Sequence, residues 1–564
     1  MRETDVALLG TRPASARAAA ALFAAAHRRT GPIRRTGAAT DAGRAGPRVR
    51  GGRARAIVAD FEEASVNRLL GGAGLVLIAV LWCRTAWAGP LFVTDFGADN
   101  GGVVDATDAV QRALDAAGPG GTVVFPRGTY RVGEGRGRAP LFRVSDGMTV
   151  RGERATLRCA NPGAEADGCR PFSLGAFGDG ITSGVTIEGL RFEEHGIAIR
   201  LADTQNVVIR DNVFFNSAVY LWNDLGGDGH GNAATEILNN RFEVPDYRDP
   251  AVNPDYVPNR LPPYGNDELS RLRYYLPFLL RIASYPWDER IAPSTWNQDV
   301  VVRGNSFTGA AYNAVELAGH AVRRVRIENN VFEDNYGVAI DFDKGASHNR
   351  AVNNMVYDMR PTETYDAGEI HAIGAQRGGR GSGRRYIPSS HNVIRGNRFL
   401  QRDVPYTKMR AQSSFDIVFA DNEILPGDRG GNAVTLSFGE RMTAPADHGL
   451  RLLDNTLRTG DVLVAGGVWL EPEIAFPIVL RGNLIGGAFN IMNHDYRRLT
   501  VTGNSFLWPG DVEGFKITGR DTVLRELTLV DNAFVSPGGG VVSVGNAETR
   551  RLRGNTFEGV ELVD

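Results

Sequence analysis

A short asparagine-containing motif recurs along most of the chain and restricts the folds that the chain can adopt. Asparagine stands second in tetrapeptides such as DNVF at 211, GNSF at 304 and NNVF at 329. The asparagines of this series are Asn212, Asn240, Asn305, Asn330, Asn354, Asn397, Asn422, Asn455, Asn483, Asn504, Asn532 and Asn555. Most neighbours in the series are 21 to 28 residues apart. A repeat of this length predicts a solenoid whose coils bury their apolar side chains against one another.

The segments on either side of the motif have the composition of short β-strands. Runs such as VVIR at 207–210 and IVLR at 478–481 precede it, and runs such as GVAIDF at 337–342 follow it. β-Branched residues that alternate with polar ones predict strands with one buried face. Asparagine tolerates the left-handed backbone of a tight corner, and its amide can bond the asparagines of neighbouring coils. The pattern predicts a parallel β-helix, because a leucine-rich horseshoe would need a regular leucine spacing and a helical half-repeat.

The first 88 residues differ in composition from the repeat region. Residues 1–65 are rich in Ala and Arg, and residues 69–82 form an apolar run that is short for a membrane span. The run is followed by AWA, a small-x-small cleavage site, so 66–88 are predicted to be a signal peptide. We expect translation to begin near Val66, with 1–65 a disordered or mis-annotated extension and 89–564 an exported domain, periplasmic or extracellular. The alternative is a signal anchor at 69–82 behind a disordered cytoplasmic tail.

The charge of the exported part argues against one class of partner. Residues 1–88 hold 14 of the 63 Lys and Arg residues and 6 of the 65 acidic residues, which leaves residues 89–564 with a formal charge of −10. A chain of this charge has no electrostatic reason to bind nucleic acid. We expect a monomer that is free of the membrane once the signal is cleaved. Cys159 and Cys169 lie close in sequence and are expected to form a structural disulfide.

The start of the exported part carries a family signature. It contains DFGA at 95–98, DATDAVQRALDAA at 105–117 and GGTVVFPRGTY at 120–130. This combination resembles the amino-terminal signature of the pectate-lyase-like superfamily, which implies an all-β, single-stranded right-handed parallel β-helix solenoid. The 105–117 segment is amphipathic, with Val110 and Leu114 on one face, and is predicted to be an amino-terminal capping helix.

The resemblance does not choose a reaction. The superfamily includes polysaccharide lyases, glycoside hydrolases, uronan epimerases and phage tailspikes. The complete NTD, DD and GHG set of polygalacturonases does not occur in this sequence, and neither does the DPHD motif of alginate epimerases.

Two insertions, at 243–299 and 355–391, interrupt the repeat. The first is rich in aromatic residues, including Tyr274, Tyr275 and Trp287, whose flat faces suit stacking on sugar rings. The alternative is a loop whose aromatic residues pack on one another. Within this insertion, residues 266–280 are predicted to form a short helix that a proline interrupts.

The second insertion carries a cationic run, RGGRGSGRR at 377–385. Arg377 and Arg380 in this run are candidates for contact with an anionic substrate. The alternative is a solvated glycine-arginine loop.

The densest set of titratable residues lies between the insertions. Val315 and Ile340 stand eight residues after Phe307 and Phe332, so the residues that follow them, Glu316 and Asp341, occupy equivalent positions in adjacent coils. Both are expected to face outward. His371 would take the same place one coil later. The candidate catalytic residues are Glu316, Asp341, Asp343, Lys344 and His371.

Several chemistries suit this set. Stacked carboxylates repel each other, so one of them can keep a proton near neutral pH and act as a general acid in glycoside hydrolysis. The carboxylates could instead hold Ca²⁺ against a uronate, with Lys344 or His371 as the base of a β-elimination. The alternative without function is a solvated charged face.

The function expected from the sequence is that of an exported carbohydrate-active enzyme acting on a uronic-acid-containing polysaccharide. A polysaccharide lyase that works by β-elimination is favoured slightly over a glycoside hydrolase, because of the resemblance and the cationic run. The non-catalytic alternative is a polysaccharide-binding or cell-surface β-helix.

Overall fold

A computed structural model of the protein describes most of the chain after residue 88. The described residues are 89–136, 140–161, 169–175, 180–224, 231–245, 278–285, 296–309, 313–335, 337–359, 368–373, 375–376, 386–387, 389–402, 407–412, 414–428, 430–438, 449–466, 477–492, 495–508, 514–518 and 522–563. The predicted extension 1–65 and the predicted signal 66–88 lie outside them. No helix among these residues is long and apolar enough to cross a membrane.

The described chain winds into coils of short strands that form three faces. The first face, before each asparagine corner, holds Leu91–Phe92, Thr122–Phe125, Val208–Arg210, Glu236–Leu238, Val301–Arg303, Arg326–Glu328, Arg350–Val352, Val393–Arg395, Ile417–Ala420, Leu450–Leu453, Ile478–Arg481, Asp495–Thr502, Val523–Val530 and Ala547–Arg553. The second face, after the corner, holds Gly101–Asp105, Gly128–Val132, Arg241–Glu243, Ser306–Thr308, Val331–Glu333, Met355–Tyr357, Arg398–Leu400, Glu423–Ile424, Thr456–Leu457, Leu484–Ile485 and Ser505–Leu507.

The third face carries the predicted site. Its strands are Pro140–Phe142, Arg170–Leu174, Phe278–Tyr285, Asn313–Ala318, Val338–Asp343, Gly368–Ile373, Thr407–Gln412, Asn432–Phe438, Asp461–Gly466, Phe489–Met492 and Phe515–Thr518. Longer strands run through a corner and serve more than one face: Thr149–Cys159, Thr186–Leu201, Val213–Asp224, Ala533–Ser543 and Thr556–Val563. Short paired strands at the edges are Thr182–Ser183 with Thr204–Gln205, Asn297–Gln298 with Val322–Arg323, and Ala375–Gln376 with Tyr386–Ile387.

Each strand of the three faces pairs in parallel with a strand of the same face one coil away, so equivalent residues stack, whereas Ala375–Gln376 and Tyr386–Ile387 pair antiparallel. Phe214, Phe242, Phe307 and Phe332 follow one another inside the second face, with ring centroids 4.7 to 4.9 Å apart. This spacing is that of neighbouring strands in a sheet. The parallel β-helix predicted from the repeat is therefore the fold of this chain.

The asparagines form a buried hydrogen-bonded ladder along one corner. The backbone amide and Nδ2 of Asn305 donate to Oδ1 of Asn330 at 2.9 and 3.0 Å. Nδ2 of Asn330 in turn donates to the Val302 carbonyl at 2.9 Å and to Oδ1 of Asn354 at 3.0 Å. The ladder satisfies polar groups that the corner would otherwise bury without partners.

The left-handed residue of this corner is the one before the asparagine, so the expectation that the asparagine itself is left-handed was wrong. The twelve residues in that place have φ between 53° and 70°: Asp211, Asn239, Gly304, Asn329, Asn353, Gly396, Asp421, Asp454, Gly482, Gly503, Asp531 and Gly554. Only Gly, Asn and Asp occur there, because they adopt this backbone at low cost.

Replacing Asn330 by Leu is expected to lower the free energy of unfolding by roughly 1–3 kcal/mol, because it leaves buried donors and acceptors of three neighbours unsatisfied. Urea unfolding monitored by circular dichroism measures the effect. Asn555→Leu is the matched control at the last step of the ladder, where Asn555 is less buried. It should cost less. Equal midpoints for Asn330→Leu and the unmodified protein would contradict the stabilising role of the ladder.

Besides one short 3₁₀ helix, Val93–Phe96, the described residues contain one α-helix, Thr107–Ala117, which follows the strand Gly101–Asp105 and lies within the predicted 105–117 segment. Its buried face includes Val110 and Leu114, and it packs against the strands Leu91–Phe92, Thr122–Phe125 and Pro140–Phe142. Its function as a cap stays a prediction. The predicted disulfide between Cys159 and Cys169 is confirmed, with the Cα atoms 5.6 Å apart, and such bonds are typical of exported proteins.

The first insertion is shorter than the sequence indicated. Residues 278–285 form a regular strand of the third face, paired with Val213–Asp224 on one side and Asn313–Ala318 on the other. The predicted helix at 266–280 is therefore wrong at its carboxyl end, since Phe278–Leu280 are extended, and its remaining residues lie outside the described part. Likewise, Met355–Tyr357 and Gly368–Ile373 within the predicted second insertion are ordinary coil strands.

Candidate functional site

The third face brings the predicted residues into one row. Glu316 pairs in register with Asp341, and Asp341 with His371, so the alignment by counting is confirmed. The residues that alternate with Glu316 and Asp341 along their strands are fully buried apolar side chains: Val315, Leu317, Ile340 and Phe342. Glu316 and Asp341 thus point away from the interior of the coil, as the parity of the strands predicted.

Two arginines extend this row at its ends. Arg281 pairs in register with Glu316, and Arg410 with His371. The order across five coils is Arg281, Glu316, Asp341, His371 and Arg410, at steps of about 4.8 Å between neighbouring strands. We call this set the catalytic row, after the candidate catalytic residues that it contains. The side chain of His371 lies outside what the structure describes, and only its backbone register is used here.

The carboxylates of the catalytic row are buried. Glu316 is 1% exposed and Asp341 3% exposed, although both face outward from their strands. The alternative of a solvated charged face is therefore wrong for these two residues. A buried carboxylate must be paired or protonated, so their neighbours decide their chemistry.

Arg281 is the counter-ion of Glu316. Its Nε lies 2.5 Å from Glu316 Oε2, and its guanidinium lies over the rings of Phe278 and Trp222, 4.3 and 5.0 Å from their centroids. The aromatic faces hold the guanidinium in place and shield it from water. The positive charge of Arg281 opposes the rise in the pKa of Glu316 that burial causes.

Asp341 has an amide partner instead of a cation. Nδ2 of Asn313 donates to Asp341 Oδ2 at 3.0 Å. The other oxygen, Oδ1, is buried and has no hydrogen-bond partner in the described part of the protein. A proton on Oδ1 would remove the cost of a buried charge, and Oδ1 would then be a hydrogen-bond donor.

Asp343 and Lys344 complete the cluster at its more accessible side. Lys344 Nζ lies 2.8 Å from Asp343 Oδ2 and 3.6 Å from Glu316 Oε1. Asp343 retains 15% of its side-chain exposure, more than Glu316. The cluster therefore holds two paired anions, two cations and the carboxyl group of Asp341.

The amino-terminal signature matches a known family. The family described as "Rhamnogalacturonase A/epimerase, pectate lyase-like" matches residues 92–136, which include the segments DFGA and GGTVVFPRGTY. Residues 92–136 are therefore similar to pectate-lyase-like proteins. This agrees with the resemblance inferred from the sequence and with the parallel β-helix.

Solved structures similar to this chain have low sequence identity to it. The tailspike protein of E. coli bacteriophage HK620 in complex with a pentasaccharide is 12% identical, covers 84% of this chain and 80% of its own, and has a TM-score of 0.46. The surface adhesin PfbA of Streptococcus pneumoniae is 15% identical over 75% of this chain and 93% of its own, with a TM-score of 0.44. The family 28 exopolygalacturonase of Yersinia enterocolitica is 13% identical over 78% of both chains, with a TM-score of 0.43. No curated protein sequence matches the chain.

The surroundings of Glu316 and Asp341 raise the pKa of both carboxyl groups. Burial raises the pKa of Glu316, and the charges of Arg281 and Lys344 oppose that rise. Burial also raises the pKa of Asp341 well above its usual range, and the negative charges of Asp343 and Glu316 add to the effect. Burial lowers the pKa of Lys344, but Glu316 and Asp343 outweigh it, so its pKa is raised and it stays charged. Of these groups, Asp341 has the strongest tendency to keep a proton.

The sequence left open a Ca²⁺ site formed by the same carboxylates. Glu316, Asp341 and Asp343 each offer an oxygen within 4.8 Å of the others. However, Glu316 and Asp343 already have cationic partners in Arg281 and Lys344, so a Ca²⁺ ion would have to displace them. The donor set fits a proton on Asp341 better than it fits a metal ion.

None of the five predicted substrate-binding residues lies in the part of the chain that the structure describes. Tyr274, Tyr275, Trp287, Arg377 and Arg380 lie outside the described residues, and their roles stay predictions. The structure adds three residues that sequence reasoning missed, Arg281, Asn313 and Arg410. Arg281 could have been found from the alternation of Leu280 and Ile282 around it, which is the pattern of a coil strand.

The raised pKa of Asp341 predicts how the stability of the protein depends on pH. Because the pKa of Asp341 is raised in the folded protein above the ordinary value of 3.8, its contribution favours folding most strongly below pH 3.8 and is lost as pH rises through the folded-state pKa. Asp341→Asn removes this titration. From about pH 4 upward, the unfolding midpoint of Asp341→Asn should therefore rise relative to that of the unmodified protein. A difference that stays constant between about pH 4 and pH 8 would contradict the raised pKa.

Proposed function

We propose that this protein is an exported carbohydrate-active enzyme that cleaves an acidic polysaccharide, with Asp341 as the proton donor to the glycosidic oxygen. The observation that carries this proposal is the buried Asp341, whose unpartnered Oδ1 can hold a proton beside two anionic neighbours. A general acid needs a pKa near the working pH, and burial next to like charges provides it. The Cys159–Cys169 disulfide supports export.

Hydrolysis is the reaction that this carboxylate set supports best. Asp341 would protonate the leaving oxygen, while Asp343, held by Lys344, would face the anomeric carbon as the ionised partner. Retaining glycosidases hold their two carboxyl groups roughly 5–5.5 Å apart and inverting ones roughly 6.5–9.5 Å apart, so the anomeric configuration of the product distinguishes these two forms of the proposal.

β-Elimination is the second candidate, and the far end of the catalytic row favours it. Arg410 lies two coils from Asp341, about 10 Å away, with His371 between them. A guanidinium there could neutralise a uronate carboxylate, and an imidazole could remove the C5 proton. Asp341 would then protonate the same leaving oxygen. An anionic sugar is the substrate class that both reactions share on this site.

A panel of uronic-acid-containing polysaccharides tests the proposal. Unsaturated products that absorb ultraviolet light indicate elimination, whereas new reducing ends without that absorbance indicate hydrolysis. Asp341→Asn serves as the inactive control for either reaction. Retention on an immobilised polysaccharide without any product from the unmodified protein would contradict the enzyme proposal and favour the binding alternative.

A further inference from the structure

A group of basic side chains lies where the third face turns into the first face. In the coil of Glu316 the chain continues through Val322–Arg323 to Arg326–Glu328, and in the coil of Asp341 it continues to Arg350–Val352. Six basic residues stand at this turn and on the strands that follow it, and we call them the cationic corner: Arg323, Arg324, Arg326, His348, Arg350 and His391. The cationic corner and the catalytic row therefore belong to the same coils of the solenoid.

Two arginines of the cationic corner stack on each other without a counter-charge. Arg326 pairs in register with Arg350, and both side chains point outward, since the residues that follow them, Ile327 and Ala351, are fully buried. Both arginines are exposed, and neither forms an ion pair in the described part of the protein. Like charges at neighbouring positions of a sheet repel each other. Binding of anions at this pair would offset the repulsion.

Other exposed arginines close to this pair do have counter-ions. Nε of Arg324 lies 2.7 Å from Oδ1 of Asp299, and Nε of Arg395 lies 2.7 Å from Oδ2 of Asp421. The chain thus provides carboxylates for the neighbours of the stacked pair but not for the pair itself.

Arg323 adds a third positive charge that has no carboxylate partner among the described residues. Its guanidinium lies 4.0 Å from the centroid of the Trp296 ring, and its Nη2 lies 3.3 Å from Nε2 of His320. These contacts hold the guanidinium in place without neutralising it. A charged group that is already fixed loses less conformational freedom when it binds a ligand.

The two histidines lie beside these arginines. The rings of His348 and His391 are stacked, with centroids 4.5 Å apart and planes 6° apart. Burial lowers the pKa of His348, and repulsion from His391 and Arg323 lowers it further, although Asp416 opposes the effect. The charges around His348 thus disfavour a further proton and favour an anion.

We propose that the cationic corner is a second binding site for a carboxylate-bearing polysaccharide, separate from the catalytic row. The identity of the polymer rests on the proposed function. Guanidinium groups bind planar carboxylates through two parallel N–H···O bonds, and Arg326 and Arg350 offer two such groups about 4.8 Å apart along the solenoid. A chain that carries several carboxylates engages both, and it binds more tightly than a single sugar acid because the second contact is intramolecular.

Nucleic acid is the other anionic polymer that a basic patch can bind. A DNA duplex carries one negative charge per roughly 1.7 Å of its axis. Residues 89–564 have a formal charge of −10, so a duplex long enough to extend beyond the cationic corner is repelled by the rest of the protein. A polysaccharide has at most one carboxylate on most of its sugars and is repelled less, which favours it as the ligand.

Affinity electrophoresis in gels that contain a polyuronate tests the inference. The probes are polygalacturonate, polymannuronate and polyglucuronate, with dextran as the neutral control, and all variants carry Asp341→Asn so that the polymer is not cleaved. Arg326→Gln/Arg350→Gln should weaken binding of the retained polyuronate at least about tenfold. Arg458→Gln/Arg481→Gln is the matched control, because it removes two exposed arginines that form no ion pair in the described coils, and its binding should not change. Free galacturonate should bind at least about tenfold more weakly than the polymer.

Several results would overturn the inference. Retention of no polyuronate, or equal retention of the Arg326→Gln/Arg350→Gln variant and its parent, would show that the cationic corner does not bind the polymer. Equal affinity for free galacturonate would indicate a site for small anions, and tighter binding of double-stranded DNA would indicate nucleic acid. Circular dichroism verifies folding, and the unfolding midpoint of Arg326→Gln/Arg350→Gln should be no lower than that of its parent, because the substitution removes a repulsion.

Turnover, measured separately on the protein with Asp341 intact, distinguishes this inference from the proposed function. Cleavage of a polyuronate together with binding that does not depend on Arg326 and Arg350 would overturn only the second binding site. Binding that depends on both arginines, without turnover of any polyuronate, would support the second site and contradict only the enzyme proposal.

Discussion

Asp341→Asn is expected to lower kcat by at least about 100-fold while the protein remains folded. The amide is nearly isosteric with the carboxyl group and can keep a hydrogen bond to Asn313, but it has no proton to give to the glycosidic oxygen. Because the substitution also removes a buried ionisable group, the unfolding midpoint at neutral pH should stay the same or rise. Lost turnover with retained stability separates a chemical role from a structural one.

The control for this prediction is Asp421→Asn. Asp421 is an acidic residue of an asparagine corner, with φ 53°, in an exposed ion pair with Arg395. Asn tolerates that backbone, and an exposed ion pair contributes little to stability. Turnover of Asp421→Asn should be close to that of the unmodified protein. If Asp341→Asn also kept its turnover within about threefold, the chemistry would lie elsewhere on the solenoid.

The register of the candidate site was predictable because a solenoid repeats its geometry. Once the alternation of buried and polar residues fixed the parity of one strand, the position of Glu316 determined which residue of the next coil stands beside it. The count from Phe307 and Phe332 therefore placed Glu316 against Asp341 correctly. A shift by one residue would have buried Asp341 in the interior and exposed Phe342, at a cost of several kcal/mol, so few registers compete.

Burial and pairing at the site were not predictable in the same way. Arg281 follows an aromatic-rich segment that reads as an insertion, and the count of eight residues does not carry across it. The burial of Glu316 depends on Arg281, Phe278 and Trp222, which come from two other strands. The periodicity of the sequence predicts which way a side chain points. It does not predict the partners that set the pKa of that side chain, because they come from segments whose length the repeat does not fix.

Arg281→Met is expected to lower the free energy of unfolding by about 3–5 kcal/mol at neutral pH, because it leaves Glu316 buried without its closest counter-charge. Methionine keeps apolar contact with Phe278 and Trp222, so the loss reports mainly on the charge. Arg324→Met is the matched control. Arg324 pairs with Asp299, but both side chains are about half exposed, at 50% and 51%, so its removal should cost at most about 1 kcal/mol.

A double-mutant cycle with Glu316→Gln tests whether this cost comes from the unpaired carboxylate. The double variant Arg281→Met/Glu316→Gln should be more stable than Arg281→Met alone, since it has no buried charge to leave unpaired. Arg281→Met alone should also regain stability as pH falls, because protonation neutralises Glu316. The sign follows from the raised pKa of Glu316, whose contribution favours folding at low pH and is lost as pH rises. The contrary result would be equal, small losses in the free energy of unfolding for Arg281→Met and Arg324→Met, with no dependence on pH. It would show that the buried Glu316 does not need Arg281 as a counter-ion.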